Sequence, residues 1–269
     1  MSVIVLSIRV IGTCGWGGAQ IIKPSLTGFL GVSQLAANGA SLTSLSCAAT
    51  VSASKFFFSD NVDMMTAAVI AVPSVFGARI GVKLAQKMSS ELLAFIFNGM
   101  SVILIPTHFF VQQYRENNPV KLNTEKSLTN NFGTDKINLL KHSCFGITSG
   151  ILSALMGVGG APLTMSYLTL ATDLPHHLVQ GTMLVAVLPA VLTSAFSLAA
   201  GGHTPLLLAA AVCFGSITGS AVGANVALML NESQLRQVYM ASLLILGGRS
   251  VVAAGGNIRR LSQTYFAKK

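Results

Sequence analysis

Between Leu174 and Asn231 the chain carries no Asp, Glu, Lys or Arg, and about 20 apolar residues suffice for one helical crossing of a bilayer. That stretch alone holds at least two crossings. Further charge-free windows lie between Pro24 and Ser54, Met64 and Ala78, Leu92 and Tyr114, and His142 and Thr172. Only 9% of all residues are charged and the mean hydropathy is +0.66, whereas a soluble domain carries about 25% charged residues. What remains between the windows is loop and tail, too little for a sizeable soluble domain. The fold class read from this pattern is all-α, a polytopic transmembrane helical bundle. Barrel strands would alternate polar and apolar residues over about 10 positions, and no such alternation is present.

The net charge of +9 does not point to nucleic acid, because the basic residues form no stripe interleaved with aromatics. They sit in loops: Lys83 and Lys87 close one apolar window, Arg115, Lys121, Lys126, Lys136 and Lys141 lie in or beside the longest polar segment, and Arg259, Arg260, Lys268 and Lys269 form the tail. Basic loops of this kind mark the cytoplasmic side. Cys14, Cys47, Cys144 and Cys213 lie in apolar surroundings without metal-type spacing and read as small buried hydrophobes. Met1 to Val10 has neither a basic leader nor a cleavage signature, and reads as part of the first membrane helix rather than a signal peptide.

An internal repeat organises the chain. Gly15-Trp-Gly17-Gly18-Ala19 recurs as Gly157-Val-Gly159-Gly160-Ala161, an offset of 142 (157 − 15), and the same register maps Leu26-Thr27 onto Leu168-Thr169, Gly39 onto Gly181, Ser52-Ala53 onto Ser194-Ala195, Gly77 onto Gly219, Gly81 onto Gly223 and Ile103-Leu104 onto Ile245-Leu246. Repeats of this kind are a signature of secondary transporters. The expected organisation is a first transmembrane repeat over 1–111, short at its start, a polar linker over 112–138, a second repeat over 139–253 and a basic tail over 254–269. In the second repeat the segments are expected at 139–156, 161–171, 178–200, 205–230 and 233–253. The spacings Gly77-x-x-x-Gly81 and Gly215-x-x-x-Gly219-x-x-x-Gly223 put small residues on one helix face, where helices in lipid approach closely.

Each repeat carries a G-x-G-G break in apolar sequence, where freed backbone groups must be satisfied by protein or by a watery cavity. Such breaks expose N–H groups at positive helix ends and suit an anion; they also permit close helix crossing. A second pair of motifs, Asn38-Gly39-Ala-Ser41 and Gln180-Gly181-Thr182, sets an amide, a glycine and a hydroxyl near the start of a long apolar helix. These are donors for an oxyanion, or ordinary helix caps. The candidate substrate-binding residues are therefore Gly15, Gly17, Gly18, Asn38, Gly39, Ser41, Gly157, Gly159, Gly160, Gln180, Gly181 and Thr182, with the two breaks expected to meet near mid-membrane. His176 and His177, beside Asp173 and Pro175, read as a solvated loop pair, with a proton relay as the alternative. Lys23 and Arg9 lie where a charge in lipid is expensive, so each should snorkel or face a cavity. Zincin, P-loop and nucleophile-elbow motifs are missing, and Asp60, Asp63 and Asp173 fall in expected turns.

At these residues the sequence resembles the sulfite exporter TauE/SafE family. The resemblance runs from about Gly15 to Val252. It is carried by Gly15-Trp-Gly-Gly-Ala19 followed by Pro24, by Gly157-Val-Gly-Gly-Ala-Pro162, and by Leu174-Pro-His-His-Leu-Val-Gln-Gly-Thr182 followed by Pro189. It implies a multi-pass transporter of sulfite or organosulfonates, often directed outward. The expectation is alternating access for a small anion with protons as a candidate coupling ion, no enzyme activity, no cofactor or metal, and the lipid bilayer as surroundings, homo-oligomers being left open. An anion channel, and a membrane-embedded enzyme or accessory subunit, are the alternatives. Whether the repeats are inverted or parallel is open: five segments per repeat imply inversion, whereas a basic linker and basic tail on one side imply an even number.

Overall fold

The computed structural model describes residues 19–117, 136–172, 174–238 and 241. Among them are eight helices and no strand: α1 (Ala19–Phe29), α2 (Gln34–Phe58), α3 (Met64–Lys87), α4 (Ser90–Asn117), α5 (Lys136–Met156), α6 (Ala161–Ala171), α7 (His176–Ala200) and α8 (Leu206–Met229). A further helical stretch occupies 232–238. Helix α4 runs past residue 111 into the segment expected to be linker. Among the described residues five helices are long and apolar enough to cross a membrane: Met64–Lys87, Ser90–Val111, Leu139–Met156, His176–Ala200 and Leu206–Met229. Their outer faces carry large apolar side chains in the open, among them Phe76, Phe110, Phe196, Leu207, Phe214 and Met229, the surface expected where lipid replaces water.

Helix α2 is as long as α7 yet is not among those five, and its composition explains why. It holds Asn38, Ser41, Thr43, Ser44, Ser46, Thr50, Ser52 and Ser54. Much of that polarity is satisfied within the helix, since Thr43, Thr50 and Ser54 donate to the carbonyls four residues earlier and Ser46 to the one three earlier. Across the interface Ser44 and Ser216 of α8 share a hydrogen bond, and Lys55 donates to Ala221 O and Asn225 Oδ1. Most of α2 is buried, so other helices, not lipid, are its solvent.

Contacts fix the directions of the helices. Beside Gly39, near the start of α2, lies Thr204 in the α7–α8 turn, and beside Gly181, near the start of α7, lies Asn61 in the α2–α3 turn. Helices α2 and α7 are therefore antiparallel. Helix α3 runs alongside α5 in the same direction, with Gly77 against Ile147, Gly81 against Ile151, Gly146 against Ile70 and Gly150 against Ser74. The 142-residue spacing also separates the ends of three helix pairs, α1 from α6, α2 from α7 and α3 from α8, with equal lengths of 11, 25 and 24 residues within each pair.

Helices α1 and α6 are short. At 1.5 Å per residue each rises about 16 Å, roughly half a hydrocarbon core of about 30 Å. Helix α6 folds back along α5: Ser149 Oγ meets Thr164 Oγ1 at 3.1 Å, Tyr167 OH meets His142 Nδ1 at 2.8 Å, and the Tyr167 ring stacks on Phe145. The second G-x-G-G motif is thus the turn of a hairpin, not a break in a helix that continues onward.

Two expectations change here. His176 is buried at the head of α7, with its backbone N–H donating to Glu232 Oε1 at 2.9 Å, because the carboxylate of the following segment folds over the turn. Cys144 is exposed, and Cys47 and Cys213 are half-buried against one another between α2 and α8, so none of the described cysteines is fully buried.

Candidate functional site

The turn between α5 and α6 is built from glycines because its backbone demands them. Gly157, Gly159 and Gly160 adopt φ of 69°, 80° and 67°, left-handed values that cost other residues about 1–2 kcal/mol each. Gly160 is the N-cap of α6 and Pro162 follows in the first turn, where its missing N–H costs nothing. The first-turn amides of a helix have no intrahelical acceptor, and this helix start is buried throughout residues 157–162.

Side chains from α1 and α2 close over the end of α5. Asn38 Nδ2 donates to Leu155 O at 3.1 Å, Lys23 Nζ to Met156 O at 2.8 Å, and Ser41 Oγ to Gly157 O at 2.7 Å. Three consecutive carbonyls, left unpaired where α5 stops, are satisfied in this way. One N–H of the Asn38 amide and the hydroxyl of Ser41 are thereby committed to the α5 terminus. The oxygen of the Asn38 amide is different: Asn38 Oδ1 is buried without a hydrogen-bond partner, as is Thr204 Oγ1 beside Gly39. Replacing Asn38 with leucine leaves the Leu155 carbonyl buried and unpaired, a loss of about 1–3 kcal/mol. Thermal melting of the purified variant is expected to show a lowered midpoint, and an unchanged one would remove Asn38 from this role.

The structure brings Asn38, Gly39 and Ser41 to Gly157, while Gly159 packs against Leu45 and Val191 and Gly160 against Ser149 and Ser153. It does not bring Gln180, Gly181 and Thr182 to them. Thr182 Oγ1 accepts from Asp63 N at 2.9 Å, and Gly181 is pressed against Asn61. Because α2 and α7 are antiparallel, the two polar helix starts lie at opposite ends of the pair. Gly15, Gly17, Gly18, Arg9 and Asp173 lie outside the described residues.

Sequence reasoning passed over two histidines. His108 of α4 is buried, with Nδ1 2.8 Å from Ser166 Oγ and its ring also bonded to the Pro162 carbonyl. His142 of α5 is buried and meets Tyr167. Neighbouring residues of α6, Ser166 and Tyr167, thus each engage an imidazole from a different helix. The available signal was a titratable side chain inside an apolar window, a functional hypothesis by default at membrane depth.

The family described as Sulfite exporter TauE/SafE matches residues 2–250. A relative from Bacillus subtilis (strain 168), described as "Probable membrane transporter protein YdhB", is 23% identical over 241 residues, covering 88% of this chain and 93% of that protein. No solved structure matches the chain.

Proposed function

Because the chain belongs to the sulfite exporter TauE/SafE family, we propose that it exports a small sulfur oxyanion, sulfite or an organosulfonate, by alternating access. The protein is a multi-pass integral membrane transporter and not an enzyme. The observation that carries the finer reading is the buried start of α6. Three left-handed glycines bring a positive helix end into the protein interior, where an anion can accept from the amides of Gly159, Gly160 and the first turn of α6.

The two halves are taken as homologous and oppositely oriented. Support comes from the equal helix lengths at one offset and from the antiparallel α2 and α7, the arrangement of transporters with inverted repeats. In this reading the turn 157–160 with Asn38, Gly39 and Ser41 forms one half-site. Gln180, Gly181 and Thr182, at the other end of the α2–α7 pair, belong to its counterpart, and access passes between them. Protons are proposed as the coupling ion, supported by the imidazole contacts that His108 and His142 make to α6.

The test is uptake of radiolabelled sulfite into proteoliposomes of the purified chain, with and without a pH gradient, with sulfate and taurine as competitors. Saturable flux that grows with the gradient is the expected result. No sulfite flux from folded protein would sink the substrate assignment, gradient-independent flux would sink proton coupling, and large unitary currents would make the protein a channel.

A further inference from the structure

Lys23 is 1% exposed, yet among the described residues no carboxylate pairs with it. Its ammonium donates to Met156 O and lies 4.2 Å from the centroid of the Phe97 ring. An ammonium has three N–H donors, and one carbonyl and one aromatic face do not neutralise a charge removed from water. The repeat places Met165 at the equivalent position of the second half, so the scaffold accommodates an apolar side chain there.

The surroundings are those of an anion site. Met156, whose carbonyl Lys23 reaches, immediately precedes the glycine turn, and the turn opens the buried start of α6, whose first-turn amides have no intrahelical acceptor. Beside the same turn, a Cβ on Gly157 would lie 2.6 Å from Asn38 Oδ1, the buried acceptor without a partner. One cation and several N–H donors, next to one unused acceptor, describe a ligand with a single negative charge and a hydrogen to donate.

We propose that Lys23 is the charged anchor of an anion site at the α5–α6 turn, selective for monovalent oxyanions that retain a hydroxyl, such as hydrogensulfite, over dianions such as sulfate. The N–H groups of Lys23 not held by Met156 and the amides of α6 hold the anionic oxygens, and Asn38 Oδ1 accepts from the hydroxyl. This assignment rests on the transporter reading of the same turn and gives that reading its charge selectivity.

The rival role for Lys23 is a structural cap on α5, and Lys23→Gln separates the two because glutamine can still donate to Met156 O without carrying charge. The full chain is purified in detergent, and its thermal midpoint is followed against hydrogensulfite, nitrate and sulfate at constant pH and ionic strength. Wild type is expected to be stabilised saturably by hydrogensulfite, with weaker responses to nitrate and sulfate. In Lys23→Gln the hydrogensulfite response weakens about tenfold or more in apparent affinity, while the anion-free midpoint stays at or above that of wild type. Lys23→Arg retains the response. A full response in Lys23→Gln, a wild type that answers none of the anions, or a wild type that prefers sulfate would each overturn the proposal. If wild type moves no sulfur oxyanion across proteoliposomes but still loses its stabilisation on Lys23→Gln, the anion site stands and the substrate assignment falls.

Discussion

Proteoliposomes carrying Gly159→Leu are expected to show sulfite flux no higher than empty vesicles, and the variant is expected to elute largely as aggregate. Two costs coincide at this position. Its φ of 80° is left-handed, at about 1–2 kcal/mol for a residue with a side chain. A Cβ there would stand 2.1 Å from Leu45 Cδ2 and 3.0 Å from Val191 Cγ2, so leucine adds overpacking of about 1–3 kcal/mol or more. Both act on the hairpin that joins α5 to α6, and the amides proposed to hold the anion move with it. The gentler pair, Gly159→Ala with Leu45→Ala, removes the closer of the two contacts and leaves the backbone strain, and its elution profile should recover before its flux does. Normal elution and near-normal flux in Gly159→Leu would remove this turn from the site.

The second large effect is expected at the seam of α3 and α5. Gly150→Leu should abolish recovery of monodisperse protein, because the new Cβ would lie 2.2 Å from Ser74 O and 2.9 Å from Ala78 N. Backbone atoms cannot turn aside as a flexible side chain can. Gly77 faces Ile147 O at 2.1 Å by the same measure, Gly81 faces Ile151 O at 2.6 Å and Gly146 faces Ile70 O at 2.5 Å, so the two helices meet glycine to backbone along the whole seam. Gly99→Ala is the control: nothing lies within 4 Å of its added Cβ, and alanine within α4 should raise stability by about 1 kcal/mol. Fluorescence-detected size exclusion of the two variants in parallel decides the matter, and a monodisperse Gly150→Leu would refute the seam.

Much of this architecture was readable from charge-free windows and glycine spacing. The short helix at Ala161–Ala171 and the end of α5 at Met156 fall where the pattern put them, because left-handed glycines leave a helix nowhere else to stop. The reversal at that turn was not readable. A G-x-G-G motif says that a helix ends, and the contacts of Tyr167 with His142 and Phe145 say where the next one goes. The roles of Asn38 and Ser41 were likewise hidden, since each caps a helix more than 100 positions further along the chain. His108 and His142 escaped notice because windows defined by Asp, Glu, Lys and Arg pass over imidazoles. Gly146 and Gly150 were overlooked beside the more obvious Gly77 and Gly81, although the four form a single interlocking surface.

The burial of α2 has a consequence for how the protein is made. Its hydroxyl-rich surface is shielded mainly by α7 and α8, which leave the ribosome more than 100 residues later, and chains are synthesised at about 5–20 residues per second. For several seconds at least, α2 lacks the two helices that cover most of its polar surface. Assembly, rather than the final fold, is therefore the stage at which the hydroxyls of α2 are least covered, and its antiparallel twin closes that interval when it arrives.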